Sequence, residues 1–202
     1  MIVGVIASIT IPSLIADVQD QQHREAWKKC FSDISQATKR IVTENGGSIW
    51  DNSNTDAAID SLNMKNEYKK YLNVISDDTS SNIFNGITYS QYKNSNSTFN
   101  YNTDTRPSLL LSNGALIRIA SKVNCSITLG TLTDICGDIR VDINGVKGPN
   151  MIGRDFFGLW IIKKGSTYIS LPYGITGDTK SCVNPSTGTD QSDGCSAQIL
   201  YQ

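Results

Sequence analysis

The first 44 residues constrain the fold most, because they read as one long helix with two chemically different halves. No residue among the first 16 is charged. Beyond them charged residues appear, and the apolar residues recur every three or four positions, which is the spacing of one helix face. This apolar stripe consists of Trp27, Cys30, Phe31, Ile34, Ala37 and Ile41. The pair Gly46-Gly47 predicts the end of the helix, since glycine disfavours its continuation.

The uncharged half is short for an ordinary membrane span. Sixteen helical residues cover about 24 Å, whereas the hydrocarbon core of a bilayer is about 30 Å thick. A cleaved signal peptide would need a basic start, but the first basic residue is Arg24. A buried helix of a soluble domain is the other alternative, and a segment that is apolar on every side does not favour it. We therefore expect an anchor helix whose beginning lies upstream of Met1.

Residues 4–22, GVIASITIPSLIADVQDQQ, followed by an amphipathic helix, resemble the N-terminus of type IV pilins and type II secretion pseudopilins. In that family this segment anchors the subunit in the inner membrane and later packs with its copies in the core of a filament. The resemblance implies an anchor and assembly half at residues 1–22. It also implies a globular head at residues 23–202 that includes the amphipathic half of the helix. The assembly residues that it implies are Gly4, Ile6, Ile9, Pro12 and Leu14.

Short apolar runs in the second half of the chain predict an antiparallel sheet. Two runs flank Asn113-Gly114, a pair that favours a tight turn between strands. Apolar and polar residues alternate at 139–143, as in a half-buried strand. Residues 156–162 and 167–171 predict two more strands around a lysine- and glycine-containing turn.

These strands follow two predicted short helices, at residues 56–62 and 64–75. The resulting fold class is α+β: the long N-terminal helix packs against a four- to five-stranded antiparallel sheet, as in a pilin-like head. Residues 76–107 are rich in Ser, Asn, Asp and Thr, and we expect a long loop there. That loop is the first place to look for adhesion contacts. A disulfide-closed loop is expected near the C-terminus.

The five cysteines favour disulfides over a metal centre. No CxxC pair occurs and the chain has a single histidine, so a zinc site has little support. The economical pairing is local, Cys125 with Cys136 and Cys182 with Cys195, and such bridges need an oxidising compartment. The second pair also resembles the C-terminal disulfide-bounded loop of many pilins. Cys30 lies on the apolar stripe, where we expect a buried thiol.

One loop, DINGVKGPNMIGRD at residues 142–155, is dense in oxygen ligands. Asp142, Asn144, Asn150 and Asp155 could contribute to a calcium site, because calcium takes six to eight oxygens from carboxylates, amides and carbonyls. The alternative is a metal-free turn, in which the same side chains accept hydrogen bonds from backbone N–H groups. No cofactor is required by the sequence, and calcium is the one candidate.

Composition and motifs argue against nucleic-acid binding and against enzymatic activity. The net charge is −1 and no basic stripe is present, so we expect no nucleic-acid partner. No nucleophile elbow, phosphate loop or dinucleotide fingerprint occurs, and His23 lies on the polar side of the helix, so we expect no enzymatic activity.

The sequence therefore predicts a structural subunit of a type IV pilus or a type II secretion pseudopilus. Its partners would be copies of itself, related pilins and the membrane. Before assembly it would sit in the inner membrane with its head outside the cytoplasm, and afterwards in an extracellular or periplasmic filament. The alternative is a membrane-tethered binding or adhesion module that does not polymerise, with residues 76–107 as its ligand surface.

Overall fold

A computed structural model describes residues 2–49, 56–91, 94–175, 182 and 195–201; of these, the side chains of residues 2–14, 16 and 94–97 are not described. Helix α1 spans Ile2–Glu44, α2 spans Ala57–Lys69 and α3 spans Cys195–Leu200. The strands are β1 Val74–Asp78, β2 Thr88–Gln91, β3 Asn94–Asn100, β4 Ser108–Leu111, β5 Leu116–Ser121, β6 Ile127–Leu129, β7 Leu132–Asp142, β8 Met151–Ile152, β9 Phe156–Lys164 and β10 Thr167–Pro172. Short 3-10 helices lie at Asn82–Phe84 and Val123–Cys125.

In the described part of the chain, the strands form one ten-stranded sheet in the order β1-β4-β5-β7-β9-β8-β2-β3, with β10 beside β9 and β6 beside β7. Strand β8 runs parallel to β2 and to β9, and the other pairs are antiparallel. The sheet is mixed and curls into a half-barrel. The prediction of a long helix on a four- to five-stranded antiparallel sheet is therefore wrong. Strands as short as β6 and β8, with three and two residues, carry too little sequence pattern to be seen.

The apolar stripe of α1 lies on one face of this sheet. Trp27, Ile34 and Ile41 are fully buried, and they join a core cluster with residues of β5, β7, β9 and β10. Trp27 stacks on Phe157 of β9 with 4.8 Å between the ring centroids. The second half of α1 is therefore an integral part of the core.

The opposite face of the sheet is also covered, by the segment that the sequence predicted to be a loop. Residues 76–107 contain the end of β1, a 3-10 helix, β2 and β3. Their aromatic side chains form a second core cluster with Phe156, and Phe84, Tyr89 and Tyr101 are buried in it. The loop prediction is wrong because sparse aromatic residues, although separated by polar ones, suffice to bury a second layer. As a result β7 is buried on both faces, and the prediction of a half-buried strand there is wrong too.

The structure confirms both predicted hairpins and corrects the predicted helices before the sheet. Strands β4 and β5 pair antiparallel around Asn113-Gly114, which confirms the hairpin, and Gly114 takes a positive φ of 88°. The β9–β10 pair is confirmed as well. The two short helices before the sheet are in fact one helix, α2, whose N-terminus is capped by Asp56. Its chain then extends into β1, where residues 74–75 were expected to be helical.

Candidate functional site

The assembly residues implied by the sequence lie at the start of α1. The backbone of Gly4, Ile6, Ile9, Pro12 and Leu14 is helical, but their side chains lie outside the described part of the chain. In the residues that the structure describes, no helix is both long enough and apolar enough to cross a membrane.

The next turns of α1 show how the helix leaves the head. Ile15 is 52% exposed and Val18 is 46% exposed. Three residues apart on a helix, these two side chains share one face. Among the described side chains of α1, Asp20 is tied to the head: it accepts a hydrogen bond from Nε of Arg154 at 2.5 Å. Of the side chains of α1 that the structure describes, Trp27 is the first that is fully buried.

The candidate calcium loop lies at this same junction between α1 and the head. Asp142 and Asp155 are both 0% exposed. Oδ1 of Asp142 accepts a hydrogen bond from the backbone N–H of Asn144 at 3.2 Å, and its Oδ2 accepts one from the hydroxyl of Tyr89 at 2.7 Å. The carboxylate of Asp155 accepts the backbone N–H groups of Asn150 at 2.7 Å and Met151 at 2.6 Å. Each carboxylate oxygen therefore has a donor from the protein.

Negative charge is nonetheless disfavoured at this junction. Burial raises the pKa of Asp142 to about 7, and the charge of Asp155 adds to the rise while the hydrogen bond from Tyr89 opposes it. Burial also raises the pKa of Asp155, against the backbone hydrogen bonds and the charge of His23, which lower it. Arg154 could have neutralised either carboxylate, but it pairs with Asp20 instead. A proton or another cation bound between these two carboxylates would therefore offset the cost of burying their charge.

The two asparagines of the loop bring further oxygens. Among the described atoms, Oδ1 of Asn144 and Oδ1 of Asn150 are buried and lack a hydrogen-bond partner. The side-chain nitrogen of Asn144 donates to the carbonyl of Gly148 at 3.1 Å, which fixes its orientation. The described residues contain no group of three His, Cys, Asp or Glu side chains that could hold a metal. A calcium ion here would depend on amide and main-chain oxygens beside the two carboxylates.

Both predicted cysteine pairs lie at disulfide distance. The sulfur atoms are 2.09 Å apart in Cys125–Cys136 and 1.99 Å apart in Cys182–Cys195. Cys30 is a free, buried thiol, and burial raises its pKa to about 12, so it is a poor nucleophile and metal ligand.

Two residues of the junction were missed from the sequence. Tyr89 comes from the segment that was predicted to be a loop. The spaced aromatic residues of that segment indicated contacts with the head, but not a contact with Asp142 in particular. His23 was predicted to be solvated, yet it is half-buried and its charge acts on Asp155. The only signal was its position four residues before Trp27, one helical turn from the buried stripe.

Searches with this chain find no matching family model, no matching curated protein and no matching solved structure.

Proposed function

We propose that this chain is a structural subunit that assembles through the N-terminal half of α1 into a filament of the type IV pilus or type II secretion pseudopilus kind. The observation that carries the proposal is the exposure of Ile15 and Val18 on a helix that carries no charged residue before Asp17. The same helix is built into the core of the head from Trp27 onward. The C-terminal half of α1 is fixed in the core, so the apolar surface of its N-terminal half needs lipid or another protein to cover it.

The driving force is burial of apolar surface. Ile15 and Val18 are each about half exposed, so completing their burial would contribute about 1 kcal/mol per side chain. The uncharged residues before them carry a larger apolar surface, which can lie in lipid before assembly and against other helices afterwards. Membrane and filament core would then be alternative environments for one surface.

The two disulfides support a head outside the cytoplasm, because such bridges persist in oxidising compartments. Of the aromatic residues of β2 and β3, Tyr89 is buried in the second core cluster and Phe99 packs against that cluster, so little aromatic surface is left for a ligand there. This arrangement favours a structural subunit over a module that reads ligands through residues 76–107.

The test compares the full chain with a chain that lacks residues 1–21, by sedimentation in buffer without detergent. We expect the full chain to form large assemblies and the shorter chain to be a monomer. Circular dichroism of the shorter chain checks that its head is folded. If both chains sediment as the same monomer, the proposal fails. Full-length material that binds vesicles but never self-associates would favour the tethered binding module.

We further propose that calcium binds the loop at residues 142–155. The observation that favours it is the pair of buried oxygens on Asn144 and Asn150 that have no hydrogen-bond partner among the described atoms. They belong to the same loop as two carboxylates whose pKa values burial raises. A divalent cation would satisfy the former and stabilise the charge of the latter.

Calorimetric titration of the full chain in mild detergent tests the calcium proposal, with Asp142→Ala and Asp155→Ala as variants. We expect heat of binding for the unaltered chain and none for either variant. Magnesium is the matched control ion, because it demands a smaller octahedral site. An unaltered chain that gives no heat with millimolar calcium would leave only the metal-free turn.

A further inference from the structure

A cleft of about 320 Å³ lies between α1, the turn that follows α2 and the hairpin of β4 and β5. The buried side chains that line it, Ala37, Leu72 and Leu111, are apolar and form its floor. The backbone N–H of Ser112 donates to the carbonyl of Asn73 at 2.9 Å, which ties the hairpin to the turn. Ligand sites begin at about 300 Å³, so the cleft has room for one or two small rings or a short extended chain.

The wall that α1 contributes is polar and carries both signs of charge. It is lined by Lys29, Asp33, Gln36 and Arg40. Their spacing of three or four residues places them on one helix face. In the part of the chain that the structure describes, no salt bridge involves Lys29, Asp33 or Arg40. Nε2 of Gln36 donates to Oγ of Ser32 at 3.0 Å, which leaves its Oε1 as an acceptor for a ligand.

The opposite wall presents an aromatic ring and an amide group, and hydrogen bonds fix both. The hydroxyl of Tyr71 donates to Oε2 of Glu44 at 2.5 Å, which holds the half-buried ring beside the cleft. Oδ1 of Asn113 accepts the backbone N–H of Ala115 at 3.1 Å, which leaves Nδ2 to donate to a ligand. An oriented ring beside separately placed donors and acceptors selects a ligand by its hydrogen-bonding groups.

We propose that this cleft binds a disaccharide unit. A hydroxyl group both donates and accepts hydrogen bonds, so the hydroxyls of one ligand accept from Arg40 and donate to Asp33. These two residues lie about 10 Å apart along the helix axis, a distance that two linked sugar rings span. The C–H face of one ring packs on Tyr71 and on the apolar floor. A charged peptide side chain fits less well, because it meets a like charge from Asp33 or from the cations. The inference concerns the head and does not rest on filament formation.

Binding is tested with the full chain in mild detergent. A fluorescent label on the chain first reports its retention on an array of immobilised mono- and disaccharides. The methyl glycoside of the sugar that retains most chain is then titrated into isotope-labelled protein, and NMR follows the side-chain amide signals. We expect the signals of Gln36 and Asn113 to shift and to saturate. Sorbitol is the control ligand, because it has the hydroxyl groups of a hexose without the ring, and it should shift neither signal.

Two substitutions locate the ligand in the cleft. Asp33→Ala and Arg40→Ala should each raise the Kd by about tenfold or more, because hydrogen bonds to charged groups are the strongest that a ligand makes. Lys39→Ala is the matched control, since this lysine is exposed on α1 but does not line the cleft, and it should leave the Kd unchanged.

The proposal is overturned if the array retains none of the chain, or if Asp33→Ala and Arg40→Ala bind as tightly as the unaltered protein. A capped peptide with one acidic and one basic residue is the competing ligand. Amide shifts at Gln36 and Asn113 with this peptide alone would make the cleft a peptide groove and would also overturn the proposal.

Discussion

The substitution Asp142→Asn gives the sharpest test of the electrostatics at the junction between α1 and the head. Asparagine has nearly the same shape as a protonated aspartate, and its amide nitrogen can donate to the hydroxyl oxygen of Tyr89, which is the present partner of Asp142. The substitution therefore removes the titration and keeps the packing. Any change in the pH dependence of stability then reports on the buried carboxyl group.

The sign and size follow from the raised pKa. Burial raises the pKa of Asp142 to about 7 in the folded chain, against its ordinary value of 3.8, which we take for the unfolded chain. Between these two values the folded chain holds a proton that the unfolded chain has lost, so the free energy of unfolding falls as the pH rises. The contribution is fully present below the unfolded pKa and is lost through pH 7. About three pH units at 1.36 kcal/mol each make a loss of about 4 kcal/mol.

The assay is urea unfolding from pH 4 to pH 8.5 in the presence of a chelator. We expect Asp142→Asn to match the unaltered chain at pH 4 and to exceed its free energy of unfolding at pH 8 by up to about 4 kcal/mol. Asp77→Asn is the control with the opposite sign, because hydrogen bonds from Lys65 and Lys69 lower the pKa of Asp77. Its loss should appear at neutral pH and vanish in acid. A difference between Asp142→Asn and the unaltered chain that does not vary with pH would refute the reasoning.

Two further substitutions test packing around the C-terminal helix. Gly158→Ala should lower the free energy of unfolding by about 3 kcal/mol, since a Cβ there would lie 2.3 Å from the ring of Tyr173. Gly148→Ala is its control in chemical denaturation, because no described atom lies within 4 Å of a Cβ at that position. Equal losses in the two variants would contradict this packing argument. Trp27→Phe should cost about 1 kcal/mol or more through the hydrogen bond lost to Ser196. An unchanged melting temperature for Trp27→Phe would show that this bond does not stabilise the fold.

Elements with strong local signals could be predicted from the sequence. The stripe from Trp27 to Ile41 repeats at helical spacing over several turns, and those residues are buried where α1 meets the sheet. The β4–β5 and β9–β10 hairpins carry their own turn residues, such as Gly114 with its positive φ. In each case the pattern that specifies the element lies within the element, so a reading of the sequence can find it.

Elements that depend on distant partners could not be predicted. Strand β8 has two residues and exists only because it lies between β2 and β9. Ile75 continues the apolar spacing of α2, but it lies in β1, which pairs with β4. The local pattern predicts a helix there, but pairing with the edge of a distant sheet makes the segment a strand, and the sequence does not reveal that pairing.

In the candidate site, too, local features could be predicted from the sequence, whereas contacts with distant residues could not. The oxygen-rich composition of residues 142–155 is visible in the sequence, and so is the local turn around Asp155. Burial raises the pKa of Asp142, and its partner Tyr89 belongs to an aromatic cluster that comes largely from a segment with no recognisable strand pattern. The contact of Ser196 with Trp27 joins opposite ends of the chain, and no local signal could place it.

The central claim, assembly through the exposed apolar face of α1, is tested most directly by electron microscopy of the full chain with charges placed on that face. Ile15→Lys/Val18→Lys alters two half-exposed residues near the start of α1, and Ile59→Lys/Ile75→Lys alters two comparably exposed residues on α2 and β1. We predict filaments from the unaltered chain and from the control, and single particles from Ile15→Lys/Val18→Lys. Filaments that form equally well in all three would contradict the claim, as would their absence from the unaltered chain.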